Sequence, residues 1–224
     1  MTAVAQNLLA PLPATADNAA READPLSQMN VLINAIRSND LAEYAEVPMV
    51  CNVDTMLVVE EIDGGIGGFR LCERPVKIPY TKNYDDYDDG GPLNWPQRFD
   101  MSEWGLWIAR DGGQTVGGAA VAWKTPGIEM LDGRSDLAAL WDIRVRETNR
   151  RHGVGTALFR VATEWAKSRG CSLLKIETQN VNLSACRFYS KLGCVLGRID
   201  RLVYRQCANV ASEVMLVWHL DLRD

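Results

Sequence analysis

The stretch "RRHGVGTALF", residues 150–159, places two arginines, a histidine and two glycines at the mouth of an apolar-striped segment. Backbone N–H groups in the first turn of a helix have no intrahelical acceptor, so a glycine-rich entry flanked by arginine suits an anion, most often a phosphate. A dinucleotide fingerprint needs Gly or Ala three positions after the second glycine, where this chain has Leu158. A P-loop needs Gly-Lys-Ser/Thr, and Gly155 is followed by Thr-Ala-Leu. What remains is Arg150-x-x-Gly153-x-Gly155 between a strand-like run and a helix.

Working outward, "LAALWDIRV" (137–145) reads as a strand largely buried on both faces, and Leu158, Val161, Ala162 and Trp165 stripe a helix that stops at Gly170. "SLLKIETQ" (172–179) is the next strand. A strand–helix–strand unit implies a parallel pair with a right-handed crossover, here inside an otherwise mostly antiparallel sheet of an α/β protein. Upstream, "LWIAR" (106–110), the turn "DGGQ" and "TVGGAAVAWK" (115–124) read as a hairpin. Downstream, a helix from Leu183 carries Ala185, Phe188 and Leu192 on one face and stops at Gly193, and strands are expected over 195–204 and 212–220.

The N-terminal part is less regular. "TMLVVEEI" (55–62) reads as a strand, followed by the turn "DGGIGG" and an irregular stretch to about Asp100. Met29, Leu32, Ile33 and Ile36 fall at helical spacing and predict a helix that opens a folded domain over 26–224. Residues 1–25, rich in Ala, Pro, Asn and Asp, read as a flexible arm.

Composition narrows the class. A chain of 224 residues with 47% hydrophobic content can bury one substantial core. Twenty-four basic against 29 acidic residues give a net charge of −5, which argues against a nucleic-acid surface and favours cationic partners. Six cysteines without C-x-x-C spacing read as reduced, mostly buried thiols, so neither a disulfide framework nor a metal site is expected. The first basic residue is Arg21 and no apolar run reaches membrane-spanning length, so a cytoplasmic protein with no membrane partner is expected. The C-terminal strand would suit pairing into a homodimer.

The loop and its flanks resemble the GNAT family of acyl-CoA-dependent N-acetyltransferases. A second block, "NLSACRFYSKLG" (182–193), matches that family's N-x-x-A-x-x-F-Y-x-x-x-G pattern. Within the family, "ETQNVNLSACRFYSKLGCVLGRIDRLVY", "EWAKS" and "PYTKNYDD" are similar to streptothricin acetyltransferases, over roughly residues 75–220 with a poor fit through 90–136. Cys194 departs from a frequent Phe, and "TPGIEMLDGRSD" (125–136) is a longer connection than usual.

The resemblance implies a GNAT fold with acetyl-CoA as co-substrate between splayed strands 137–145 and 172–179. Arg150, Arg151, His152, Gly153, Val154, Gly155 and Thr156 would hold the pyrophosphate, with Ile143 and Val145 as main-chain partners of the pantetheine arm. The Val145 amide is also a candidate donor to the developing oxyanion. Asn182 would contact the cofactor, although Asn ahead of an apolar helix is also a natural N-cap. Tyr189 takes the place of the family's tyrosine near the thioester sulfur, as proton donor to the leaving thiolate.

An aliphatic amine titrates near pKa ~10.4, so a base or a water chain must take its proton. The two histidines, His152 and His219, are badly placed for nucleophilic chemistry, which favours direct transfer. Asp142, a carboxylate in a mostly apolar strand, either accepts that proton through water, anchors a cationic substrate, or pairs with Arg144 or a basic residue of another strand; Glu177 has the same status on the neighbouring strand. Tyr84, Asp85 and Asp86, in a run extending to Asp89, are candidate contacts to a cationic substrate, or else a solvated loop. The expected reaction is N-acetylation of a cationic small molecule, foremost a streptothricin-type antibiotic. The alternatives are another amine (a protein N-terminus, a lysine or a polyamine) or a non-catalytic acyl-CoA-binding module.

Overall fold

A computed structural model describes residues 31–87 and 91–223. Seven strands form the main sheet: β1 (Val31–Ala35), β4 (Gly105–Asp111), β5 (Gln114–Trp123), β6 (Leu137–Val145), β7 (Leu173–Gln179), β9 (Met215–Asp221) and β8 (Val195–Asp200), in that spatial order. β6 and β7 are the parallel pair; every other neighbouring pair is antiparallel. A separate hairpin pairs β2 (Val50–Glu61) with β3 (Phe69–Asn83). The helices are the short α1 (Leu41–Ala45) and α2 (Trp95–Arg98), the crossover α3 (Val154–Ser168), and α4 (Leu183–Lys191). The mixed α/β sheet and its crossover agree with the sequence reading.

The sheet buries both faces. On one, α3 and α4 lay Leu158, Phe159, Ala162, Cys186 and Tyr189 over Val121, Leu140, Leu174 and Ile176. On the other, Tyr44, Trp95 and Trp104 pack against Ile108, Ala120 and Ala139, joined by the partly buried Phe99 and Trp141. Edge-to-face contacts at 5.1 Å (Phe99–Trp141) and 5.6 Å (Trp104–Trp141) tie that aromatic group together. The six cysteines are free thiols.

Three expectations need correction. The helix read from Leu32, Ile33 and Ile36 is instead β1, paired from Val31↔Asp111 to Ala35↔Trp107 (Met29 and the 1–25 arm lie outside the described residues). In a five-residue segment, Val31 and Ile33 fit a period of two as well as a helical one, and the open edge of β4 decides between them. The stretch taken as irregular before Asp100 contains the fifteen-residue β3. Its two prolines hid the pattern; Pro75 lies opposite Thr55, where the β2–β3 register shifts. β8 ends at Asp200 and β9 starts at Met215, so residues 201–214 form a connection rather than strand ends.

One irregularity positions the site. β6 and β7 pair only from Leu137↔Leu173 to Leu140↔Ile176. The β5–β6 register slips between Val121↔Leu140 and Ala120↔Asp142, leaving Trp141 as the extra residue of a β-bulge. Beyond it, Asp142–Val145 follow β5 while Glu177–Gln179 follow β9. The parallel pair therefore opens at its C-terminal end, where α/β sheets bind ligands.

Candidate active site

The glycine loop enters α3 through two left-handed residues, Arg151 (φ 64°) and Gly153 (φ 84°). Gly153 is the N-cap and, having no side chain, supplies no acceptor to the first turn, so the amides of Val154, Gly155 and Thr156 lack a side-chain cap. Arg150 braces the loop between β6 and the start of β2: its Nε donates to Val145 O (3.0 Å) and its Nη2 to Val50 O (2.6 Å). Arg151 and His152 are exposed. Ile143 and Val145 lean on the α3/α4 side of the sheet, with Gly155 close by: a Cβ there would sit 3.6 Å from Val145 and Phe188.

Asn182 is an N-cap, as its position ahead of α4 suggested: Oδ1 accepts from Ala185 N (3.1 Å) and Ser184 Oγ (2.9 Å). Farther along α4, Tyr189 is buried between Phe159 and Phe188. Burial, followed by the charge of Asp142, pushes its phenol well above the ordinary tyrosine range, so it stays protonated.

Asp142 and Arg144 turn to the opposite face. Asp142 accepts from Tyr44 Oη (2.5 Å) and from Arg144 Nε (2.9 Å) and Nη2 (2.6 Å). Arg144 also donates to Val47 O (2.9 Å) and to both oxygens of Asp85 (3.0 and 3.2 Å). The pairing of Asp142 with Arg144 is thus what the fold makes, and Asp85 joins it from the acidic loop. Gly118 on β5 makes room: a Cβ there would lie 2.4 Å from the Tyr44 ring.

The acidic loop is not a free solvated run. Asp85 also accepts from Met49 N (3.2 Å), Asp86 from Asn83 Nδ2 (2.9 Å), and the Tyr84 ring lies under Lys82 Nζ at 4.8 Å. The Tyr84 hydroxyl is buried with no hydrogen-bond partner among the described residues, beside Cys51 and Asn182. Asp88 and Asp89 lie outside the described residues.

Glu177 stands at the opening of the parallel pair. Its Oε1 accepts from Tyr204 Oη (2.5 Å), and burial raises its pKa above the usual carboxylate range against the lowering pull of Tyr204, Arg198 and Lys175. In the same half of the molecule, Lys82 donates to Glu213 at 2.5 and 2.6 Å, both side chains buried. Asn180 clips three segments together through Leu57 O (2.8 Å), Val214 N (2.8 Å) and Val214 O (3.0 Å).

Sequence reasoning therefore missed Tyr44, Lys82, Asn180, Tyr204 and Glu213. Their partners lie tens of residues away; Lys82 stood inside the motif run 79–86 and Asn180 and Tyr204 inside the run 177–204, but nothing local in those runs reports the contact. No helix among the described residues is long and apolar enough to cross a membrane.

Comparison with known proteins agrees with this geometry. Residues 74–194 match the model of the acetyltransferase (GNAT) family. The chain is 33% identical over 152 residues to a streptothricin acetyltransferase of Escherichia coli, covering 68% of this chain and 76% of that protein. It superposes on a candidate streptothricin acetyltransferase of Bacillus anthracis str. Ames, solved with acetyl coenzyme A, with a TM-score of 0.65 and 28% identity over 86% of this chain and 98% of that one. Against a nourseothricin acetyltransferase the TM-score is 0.66 at 26% identity, with the same coverages. With more than half its length inside the family match, the chain belongs to the acetyltransferase (GNAT) family.

Proposed function

We propose that this acetyltransferase moves the acetyl group of acetyl-CoA directly to an amino group of a cationic small molecule, a streptothricin-type antibiotic, thereby removing one positive charge. The observation that carries the reading is the opening between β6 and β7, with a protonated phenol, Tyr189, on the α3/α4 side and a carboxylate, Glu177, on the other. The donor set fits acetyl-CoA: uncapped α3 amides suit a pyrophosphate, and the β6 edge beyond Leu140 is free of β7 to pair with an amide-bearing arm. In this reading Arg150 shapes the loop, while the amides of Gly153–Thr156, with Arg151 and His152, meet the anion.

Glu177 takes the proton of the incoming ammonium, directly or through water, because its raised pKa moves a carboxylate toward the working pH. Tyr189 returns a proton to the departing thiolate. Asp142 holds Arg144 and through it Asp85, with the proton transfer left to Glu177. The acceptor side carries Asp85, Asp142, Glu177 and Glu213 against Arg144 and Lys82, while Lys175 and Arg198 near Glu177 are themselves paired with Asp132 and Asp200, which leaves an excess of carboxylates that favours a cation. The names of the relatives support the same class of substrate.

Mass spectrometry of streptothricin incubated with the purified protein and acetyl-CoA tests the reading. A singly acetylated product, slowed strongly in Tyr189→Phe, is the expected outcome. Acetylation of peptides or polyamines in its place would move the reading to another amine.

A further inference from the structure

The connection between β8 and β9 reaches back to β7 through one phenol. Tyr204 donates to Glu177 Oε1 at 2.5 Å and accepts from Gln179 Nε2 at 2.9 Å. Glu177 and Gln179 are two apart on one strand, so their side chains share a face and meet the same oxygen. A phenol has a single proton. Because Gln179 donates to the Tyr204 oxygen, that proton is directed at Glu177. The backbone around Tyr204 is also fixed: Asp200 Oδ1 accepts from Leu202 N (2.9 Å) and Val203 N (3.1 Å), and Tyr204 O accepts from Cys207 N (2.8 Å). At the far end of the connection, Glu213 is held by Lys82 and Val214 by Asn180.

We propose that Tyr204, oriented by Gln179, is a positioning residue for Glu177: it holds one carboxylate oxygen and leaves the other to receive the proton of the substrate amine. The inference rests on the reading of Glu177 as proton acceptor. The charged and titratable groups around Glu177 are Lys175 on its own strand, Arg198 on β8 and Tyr204 on the connection; its opposite number on β9 is the apolar Val217. Removing the phenol's donor would leave the carboxylate less stabilised in its charged form and free to rotate.

The test is the pH profile of kcat/KM for acetylation of streptothricin by the full chain, as wild type, Tyr204→Phe, Gln179→Leu and Glu177→Gln, with acetyl-CoA binding followed by calorimetry. Tyr204→Phe should move the acid limb up by about one pH unit and lower kcat about tenfold, with acetyl-CoA affinity unchanged. Gln179→Leu, which keeps the phenol and loses its orientation, should move the limb in the same direction by less. Profiles that superpose on the wild type, or an effect confined to the KM for the amine, would overturn the role of Tyr204 while a dead Glu177→Gln keeps the reading of the base. A Glu177→Gln variant with wild-type kcat would remove the base and, with it, this inference.

Discussion

Glu177 and Asp142 lie on neighbouring strands, yet their surroundings give them different properties. Asp142 is satisfied by a guanidinium and a phenol, whereas Glu177 has one phenol and a burial cost that raises its pKa. Substituting each separates the two. Glu177→Gln should lower kcat about 10²–10⁴-fold, the usual reach of a general base. It should not unfold the protein. A carboxyl whose folded pKa is raised contributes stability that is present below its unfolded pKa and lost as pH rises through the folded value. The Tm advantage of Glu177→Gln over the wild type should therefore grow from acid to neutral pH. Asp142→Ala should instead cost about 3–5 kcal/mol in chemical denaturation, because buried Arg144 would keep only part of its charge compensation from Asp85.

In the proposed reading, the element that meets the cofactor is the entry to α3. Its left-handed Gly153 places the free amides without a competing side chain. Gly153→Ala puts a Cβ on a left-handed backbone, at a cost of about 1–2 kcal/mol. The expected result is weaker acetyl-CoA binding by calorimetry and a kcat at saturation close to wild type, since neither Glu177 nor Tyr189 moves. An equal fall in kcat with unchanged acetyl-CoA affinity would place the loop's role in the chemistry instead.

For the whole molecule, buried polar links hold the peripheral parts together: Lys82–Glu213 joins the β2–β3 hairpin to the 201–214 connection, and Asn180, directly after β7, ties both of them to the main sheet. Breaking such a pair from one side leaves a charge uncompensated. Lys82→Met should destabilise by about 3–5 kcal/mol, and the double variant with Glu213→Gln should recover part of that loss in a denaturation cycle. Because the same connection carries Tyr204, Lys82→Met should also reduce kcat, although Lys82 stands outside the proposed proton path.

The crossover unit from 137 to 179, its glycine loop, the N-cap at Asn182 and the helix that carries Tyr189 were legible in the sequence, because local periodicity, caps and turns dictate them over a few residues. β1 was not, since five residues satisfy two periods and only the edge of β4 chooses. β3 was hidden by prolines that pairing with β2 tolerates at a register shift. From the chain alone, Asp142 and Glu177 were equivalent carboxylates. Tertiary structure set them apart, bringing Tyr44 to one and Tyr204 to the other across 98 and 27 residues, separations at which no local pattern reports a contact.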